Sequence, residues 1–539
     1  MSGVSCQKKE TLKTESHILR LALRRPVKTI DPAFVSDFYS MSMAARVYEG
    51  LYQYHYLDRP YRIEPALAAE MPTVSSDGLT YFISLKKGVH FQNDTCIEEG
   101  KGSGVGRELV AEDVKYSWGR LLDEKLASPG KWTLEGKLES ITVKDKYSLE
   151  IKLKEPNDRF LHIMAMPFLF IVPKECVEIY GADFAFHPVG TGPFRLISHS
   201  NKHFRWEKNP QYRESYFPKS SLEDSGKRIP FIDGIDDEVI TEDQPIWLSF
   251  IKGEHDMIPR VPYEKIASGD IKALESQGMQ FLKETAAEFT YFAFNLEDSV
   301  VGGYGEKNKN LRKAISLAYD TAPVISLVYQ ELAKKAHFLI PPIMSEYDES
   351  YKNPWGEVNL VRAKELLEKA GYKSGAEVPE IILDTSAEAA DRVLAEFFAN
   401  AVARIGIKVT VNQRSWPELL SRIQRKQGQI YAVSWLYDYP DIENGLQILL
   451  SQNISPGPNK SNYKNTRYDL LVKRLLKTHK KAERQKILKE IRAVLAEDLP
   501  WIYSVYKYET RLLHPWVKNY KIHLFDFGIE RYLRLGSHQ

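Results

Sequence analysis

One short stretch carries a carboxylate in an unusual setting. Residues 434–440 read Ser-Trp-Leu-Tyr-Asp-Tyr-Pro and follow the apolar segment 430–433, which is typical of a buried strand. Asp438 therefore lies among aromatic rings at the end of a strand. It could receive a positive charge: unit charges about 4 Å apart attract by about 4 kcal/mol at an effective dielectric constant of 20, and rings add ~0.5–2 kcal/mol. The alternative is a solvated aspartate that caps a turn before Pro440.

The elements around this stretch alternate between strand and helix. Strand patterns cover 380–383, 407–411 and 430–434, and helix patterns cover 387–403 and 416–424. Strands and helices that alternate at these lengths predict βαβ units and a mainly parallel sheet. Open α/β sheets bind ligands in loops at the carboxyl ends of their strands. Since Asp438 lies in such a loop, its position favours a charge receptor over a capped turn.

Other segments show the same strand and helix patterns of apolar residues. We expect strands over 17–23, 81–85, 138–143, 148–153 and 501–505. Helices are expected over 40–51, 112–122, 360–370, 468–476 and 482–495. The Gly-rich and charged insert 93–107 is expected to be a surface loop. The chain is therefore predicted to be of the α/β class.

Bulk properties exclude several classes of function. The 539 residues can bury several cores. The formal net charge is only +2, so the composition gives no electrostatic case for a nucleic-acid partner. The longest apolar run, 160–173, spans about 14 residues, whereas a bilayer-spanning helix needs ~20.

The cysteines give one hint about location. Cys6, Cys96 and Cys176 form no CxxC or Cys/His zinc pattern. Cys6 precedes a polar, Lys-rich stretch that resembles the tether of a bacterial lipoprotein, although no apolar signal core comes before it. We expect residues 1–17 to be a flexible tether. Cys6 is either a lipid-attachment site or an ordinary thiol in a disordered terminus.

Several motifs, in order along the chain, resemble the bacterial extracellular solute-binding proteins of oligopeptide and dipeptide ABC importers, known as family 5. Single motifs are weak, but the ordered set from about residue 18 to 508 is specific. The matching segments are Tyr48-Glu49-Gly50-Leu51, Glu64-Pro65-Ala66-Leu67-Ala68, Asp77-Gly78-Leu79-Thr80-Tyr81, Ala111-Glu112-Asp113-Val114, Pro188-Val189-Gly190-Thr191-Gly192-Pro193-Phe194, Phe294-Asn295 and Leu311-Arg312-Lys313-Ala314.

The resemblance implies roles for particular residues. In peptide-binding members, a Trp on the last strand precedes by three residues an Asp that pairs with the peptide's α-ammonium, and Trp435 and Asp438 keep that spacing. Backbone groups of a strand segment and of an opposing segment bind the peptide main chain. The expected ligand-binding residues are Ser434, Trp435, Leu436, Tyr437 and Asp438 on one side, and Ser36, Asp37 and Phe38 on the other.

One departure concerns the ligand's carboxyl end. Tripeptide-type members have an Arg three residues before the Trp, and Ala432 stands there. The cations Arg422, Arg425 and Lys426 are close in sequence but out of register. The sequence therefore leaves the ligand's length and the partner of its carboxylate open.

The resemblance also implies an architecture of the type II periplasmic-binding-protein kind, with two α/β lobes around a hinge and an extra inserted lobe. We expect lobe I over 18–50, 187–284 and 507–539, the extra lobe over 51–186, and the second main lobe over 285–506. The hinge strands are expected near 285–291 and 502–508. Closure around ligand at a hinge is a standard switching mode.

The implied function is the substrate-binding component of an ABC importer, which captures short peptides and delivers them to the permease. We expect a monomer without cofactor, located in the periplasm or outside the cytoplasm, with a lipid anchor if Cys6 is acylated. One alternative is a receptor for another solute, such as heme or a cationic small molecule. A peptide hydrolase is disfavoured, because the 13 His residues are scattered along the chain and no serine has an evident base.

Overall fold

The structure is a computed structural model that describes residues 17–97, 104–478 and 480–537. The strands are, in chain order, β1 (Ile18–Leu23), β2 (Tyr52–Tyr54), β3 (Ile63–Pro65), β4 (Thr73–Val74), β5 (Thr80–Ser84), β6 (Leu138–Asp145), β7 (Ser148–Leu153), β8 (Phe194–His199), β9 (His203–Lys208), β10 (Gly234–Val239), β11 (Met257–Ile258), β12 (Gln280–Thr285), β13 (Glu288–Phe294), β14 (Ala333–Lys335), β15 (Ile381–Ser386), β16 (Val409–Arg414), β17 (Ile430–Leu436), β18 (Trp501–Tyr503), β19 (Val505–Leu513), β20 (Val517–Lys518) and β21 (Arg534–Leu535).

Helices cover the sheets and connect their strands. They are α1 (Phe38–Val47), α2 (Ala111–Leu122), α3 (Phe160–Met164), α4 (Lys174–Tyr180), α5 (Asp243–Ile251), α6 (Tyr263–Ala267), α7 (Asp270–Ser276), α8 (Glu306–Ala318), α9 (Leu360–Lys369), α10 (Ala389–Ala403), α11 (Trp416–Gln424), α12 (Glu443–Leu446), α13 (Thr466–Leu476) and α14 (Lys481–Asp498). No helix in the described ranges has the length and apolarity needed to cross a membrane.

Two large sheets and one smaller sheet organise the chain. The first sheet has the strand order β12-β19-β11-β1-β10-β9-β8, with β14 paired to β19. The second has the order β16-β15-β17-β13-β18, and the third β4-β5-β7-β6. In the second sheet β15 pairs in parallel with β16 and β17, whereas β13 is antiparallel to β17. The predicted α/β class and the parallel pairing between 380 and 435 are confirmed.

A buried ion cluster fixes α1 against the first sheet. Arg46 is 2% exposed, and its guanidinium donates to Asp237 of β10 and, at 2.8 Å, to Glu530 near the C-terminus. The indole of Trp206 also donates to Asp237, at 2.8 Å. The cluster therefore connects three parts of the chain that are distant in sequence. Removing one member would leave buried charges unpaired, which is strongly destabilising.

The chain crosses between the two large sheets twice. Only Ala286 and Ala287 separate β12 of the first sheet from β13 of the second, and only Ser504 separates β18 of the second from β19 of the first. These crossings lie in the two segments expected to form the hinge. The residue boundaries of the lobes stay a prediction.

The segment between β5 and β8 contains a disulfide that the sequence analysis missed. Cys96 and Cys176 are both buried and form a disulfide. The bond joins the described part of the 93–107 insert to α4. Residues 98–103 of this insert lie outside the described ranges, as do residues 1–16, which include Cys6.

Candidate ligand-binding site

Strand β17 has one edge that is only partly paired. It pairs with β13 along its whole length, from Leu436 opposite Glu288 to Ile430 opposite Phe294. On the other side its pairing with β15 covers Ile430 and Tyr431 only. Residues 432–436 therefore lack a strand partner on that side among the described strands.

The N–H and C=O groups of β17 residues point alternately towards β13 and towards the open edge. The Tyr437 N–H donates to the Ala287 carbonyl at 2.8 Å, so the backbone groups of Tyr437 point towards β13. Successive residues of a strand point their backbone groups to alternate sides. Ser434 and Leu436 therefore present N–H and C=O groups to the open edge, where an extended ligand could pair with them.

Asp438 follows this edge and is held by one amide side chain. The Asp438 N–H donates to Asn444 Oδ1 at 3.2 Å, and Asn444 Nδ2 donates to Asp438 Oδ2 at 2.9 Å. Trp435 Nε1 donates to the same Asn444 oxygen at 3.0 Å. Asn444 is fully buried on α12, so a single residue fixes both the Trp and the Asp of the predicted site.

The carboxylate of Asp438 pairs with none of the cationic side chains that the structure describes. Within the described ranges no Lys, Arg or His nitrogen lies within 4.0 Å of it. The residue is exposed to solvent, yet the surrounding protein removes enough water to raise its carboxyl pKa, and the Asn444 hydrogen bond offsets this only in part. An exposed but partly desolvated acid without a cation is suited to receiving a positive charge.

The neighbouring side chains differ in exposure. Leu436 is 65% exposed, whereas Tyr437 is only 3% exposed and donates its hydroxyl proton to the Leu339 carbonyl at 3.1 Å. In this conformation Tyr437 belongs to the core, and its role in ligand binding stays a prediction. Ser434 Oγ lies 2.9 Å from Thr290 Oγ1 on β13.

The segment around α3, which follows β7 of the third sheet, also contacts the loop after β17. The His162 ring of α3 stacks on Tyr439, with centroids 5.8 Å apart. Arg159 lies 3.4 Å from a carboxylate oxygen of Asp441. Burial lowers the pKa of His162 to about 4, so this ring is neutral at pH 7. The loop after β17 is therefore supported from outside its own sheet.

The opposing segment 36–38 begins α1. The Asp37 carboxylate accepts the backbone N–H groups of Tyr39 and Ser40, both at 3.1 Å, and the Ser40 hydroxyl at 2.8 Å. It is thus a helix N-cap. Phe38 is 52% exposed, and Ser36 is exposed as well. Within the described ranges no hydrogen bond, ion pair or ring contact joins 36–38 to 434–438.

Three cations considered from the sequence lie far from Asp438. Arg422 is 3.6 Å from Asp384, and Lys426 is 2.9 Å from Glu297. Arg425 caps the end of α11. All precede the start of β17, whereas Asp438 follows its end, and a seven-residue strand spans roughly 20 Å. None of the three is therefore placed near Asp438.

An ion pair lies at the crossing between the large sheets. Lys507 Nζ is 2.8 Å from Glu288 Oε1, and Glu288 stands opposite Leu436. Burial would raise the pKa of Glu288, but the Lys507 ammonium lowers it below the usual range. This pair adjoins the open edge, so the site and the crossing are neighbours.

Comparison with known proteins finds a matching family and relatives of this chain. The model of the family "Bacterial extracellular solute-binding proteins, family 5 Middle" matches residues 62–457. A glutathione-binding protein GsiB of Salmonella choleraesuis is 27% identical over 485 residues, covering 88% of this chain and 86% of GsiB.

Two solved structures share the fold over nearly the whole chain. The periplasmic binding protein DppA of Helicobacter pylori, in complex with the peptide STSA, is 25% identical with a TM-score of 0.75, covering 96% of this chain and 98% of that one. HbpA2 of Haemophilus parasuis is 22% identical with a TM-score of 0.80, covering 96% and 100%. The family and the type II-like fold expected from the sequence are confirmed: this chain belongs to the family 5 bacterial extracellular solute-binding proteins.

Proposed function

We propose that this protein captures short peptides with a free α-ammonium group and delivers them to an ABC permease. The observation that carries the proposal is the open edge of β17 followed directly by Asp438. The edge offers backbone pairing to an extended ligand without reading its side chains. Asp438 then fixes the ligand's amino end.

The site supplies the two interactions in a fixed geometry. Ser434 and Leu436 point their backbone groups outward, and Asn444 holds the Trp435 indole and the Asp438 backbone together. Because no cation of residues 17–97, 104–478 and 480–537 pairs with Asp438, an arriving ammonium does not have to displace one of them. Binding therefore adds an ion pair without breaking another.

A second candidate ligand is glutathione, and the GsiB relatives support it. Glutathione is a tripeptide with a free ammonium group, so Asp438 could receive it by the same chemistry. A receptor for heme or for a cationic small molecule is a third candidate. A bound cation would also pair with Asp438, but it would leave the backbone groups of Ser434 and Leu436 unused.

The proposal includes a location and an assembly. The Cys96–Cys176 disulfide supports an oxidising, extracytoplasmic compartment, because such bonds are rare in the reducing cytosol. We further propose a monomer with the lobe boundaries given above, acylated at Cys6 if that residue follows a signal peptide. Closure at the crossings near Ala286 and Ser504 would trap the ligand.

Native mass spectrometry of freshly purified protein, followed by denaturation, tests the proposal. A mixture of short peptides would support it, glutathione alone would favour the second candidate, and a single non-peptide mass would overturn it. Calorimetry with equal-length peptides gives a second readout. Backbone pairing predicts affinities within about 1–3 kcal/mol of each other, or one to two decades.

A further inference from the structure

Helix α3 is fixed to the third sheet, and the third-sheet region is fixed to the first sheet. Phe160 of α3 packs edge-on against Tyr81 of β5, with ring centroids 5.3 Å apart. The buried Arg120 of α2 donates two hydrogen bonds, of 2.6 and 2.9 Å, to the buried Asp31 in the segment after β1. The first sheet, the third sheet and α3 are therefore joined by buried contacts.

Arg159, which directly precedes α3, reaches across to the region of the second sheet. Its guanidinium donates to the Leu476 carbonyl at 3.3 Å and lies 3.4 Å from a carboxylate oxygen of Asp441. Both partners lie between β17 and β18 of the second sheet. The Arg159 side chain is 10% exposed and that of Asp441 is 22% exposed. Because the pair is largely shielded from water, it attracts more strongly than an exposed pair does.

A second contact crosses the same boundary from α3 itself. The His162 ring stacks on Tyr54 of β2, with centroids 5.9 Å apart, and on Tyr439, with centroids 5.8 Å apart. The Tyr54 hydroxyl lies 3.0 Å from His162 Nδ1, which fixes the orientation of the ring. Arg159 and His162 therefore hold the loop after β17 at two points.

The loop that they hold also positions Asp438, which directly precedes Tyr439. The Asp441 carboxylate accepts the Glu443 N–H at 2.8 Å, and the Asp441 carbonyl accepts the Asn444 N–H at 3.1 Å. Asn444 in turn binds both the backbone and the carboxylate of Asp438. Displacing Asp441 would therefore displace the carboxylate that the proposed function assigns to the ligand's ammonium.

The contact between α3 and this loop is separate from the two crossings of the chain, at Ala286 and Ser504, which join the large sheets. Regions joined by such crossings can rotate about them and separate elsewhere. Arg25 and Glu388 form another ion pair across the boundary, but their side chains are 76% and 77% exposed. Since exposed pairs contribute little, the contacts of Arg159 and His162 are the stronger attachment.

We propose that Arg159 and His162 form a latch that holds the cleft closed over the ligand. Their contacts with Asp441 and Tyr439 also position the loop that carries Asp438. The inference rests on the proposed function and names contacts that must separate before the ligand leaves. Arg159 is a positioning residue, because it acts on the ligand through Asp441. It limits the dissociation rate, since opening precedes release.

The release of radiolabelled trialanine after dilution measures this dissociation rate. Arg159→Met removes the guanidinium and should release the ligand about 10-fold faster than the wild type, as for a lost hydrogen bond to a charged group. Asp441→Asn removes the same ion pair from the other side and keeps an oxygen that can accept the Glu443 N–H. It should also speed release, and the double variant should be little faster than either single variant.

Two further variants separate the latch from a general loss of structure. Arg159→Lys keeps the charge and should recover most of the slow release. Arg62→Met is the matched control, because Arg62 pairs at 2.8 Å with Asp58 within the same connection between β2 and β3. Its loss should leave the dissociation rate within about twofold of the wild type.

Unchanged release by Arg159→Met, or additive effects of Arg159→Met and Asp441→Asn, would overturn the latch and leave the peptide function intact. Small-angle scattering of the ligand-free protein gives a readout that needs no ligand. If the wild type does not bind trialanine, the proposed function fails. A larger radius of gyration in Arg159→Met than in the wild type would then still support the latch, and an equal radius would overturn it.

Discussion

Asp37 and Asp438 both lie next to a secondary-structure element: Asp37 directly precedes helix α1, and Asp438 follows strand β17. Asp37 accepts three hydrogen bonds from the first turn of α1, so its carboxylate is used within the fold. Asp438 accepts one, from Asn444, and meets no cation within the described ranges. The two segments share the residue type and aromatic neighbours, but the hydrogen-bond partners of the two carboxylates differ.

The difference separates a structural acid from one available to a ligand. A capping carboxylate stabilises its helix whether or not ligand is present. A carboxylate that is partly desolvated and unpaired destabilises the empty protein slightly and gains a partner only on binding. We therefore expect Asp37 to matter for stability and Asp438 for affinity.

The largest expected effect is on peptide affinity. Asp438→Asn removes the charge but keeps an oxygen that can accept the Asn444 hydrogen bond. Stranding a buried ammonium costs about 3–5 kcal/mol, so the mutant should bind peptides at least about 100-fold more weakly. Asp37→Asn, which preserves an N-cap, is the matched control and should change the calorimetric dissociation constant by less than about threefold.

The next effect is a dependence of affinity on pH. Desolvation raises the pKa of Asp438 in the free protein, and a bound ammonium lowers it. Affinity is therefore fully present above the raised free-protein pKa and falls as the pH drops through it, by up to about tenfold per pH unit, until the lower pKa of the complex is reached. Titrations between pH 4 and pH 7 measure this, and Asp438→Asn should give a flatter profile. An equally steep profile in the mutant would place the titrating group elsewhere.

The smallest effect is on the stability of the empty protein. Asp37→Ala removes the cap of α1 and should lower the free energy of unfolding by about 1 kcal/mol. Asp438→Asn should leave it unchanged or raise it slightly, because the raised folded-state pKa means that the ionised group is unfavourable at neutral pH. Urea denaturation of both variants without ligand makes the comparison. A larger loss in Asp438→Asn than in Asp37→Ala would reverse the roles of the two residues.

Individual helices and strands could be predicted wherever the apolar residues recurred at a clear helical or strand spacing. The helix 416–424 and the strand 148–153 have the predicted bounds. Strand β16 begins two residues later than predicted, because the buried Ile407 belongs to the preceding loop rather than the sheet.

Contacts between residues distant in sequence could not be predicted from the spacing of apolar residues. The Cys96–Cys176 bond joins residues 80 apart, and no spacing rule selects that pair from three cysteines. Asn444 is a small amide on a four-residue helix, and only its three-way contact with Trp435 and Asp438 reveals its importance.

The central claim is that Asp438 pairs with the ligand's ammonium, and N-acetylation tests it most directly. Calorimetry measures four dissociation constants: free and N-acetylated trialanine, each with the wild type and with Asp438→Asn. The account predicts that acetylation weakens binding to the wild type about as much as the mutation weakens binding of the free peptide. Combining the two changes should cost little more than either alone, because both remove the same pair. Independent, additive losses, or wild-type affinity of the mutant for free trialanine, would contradict the claim.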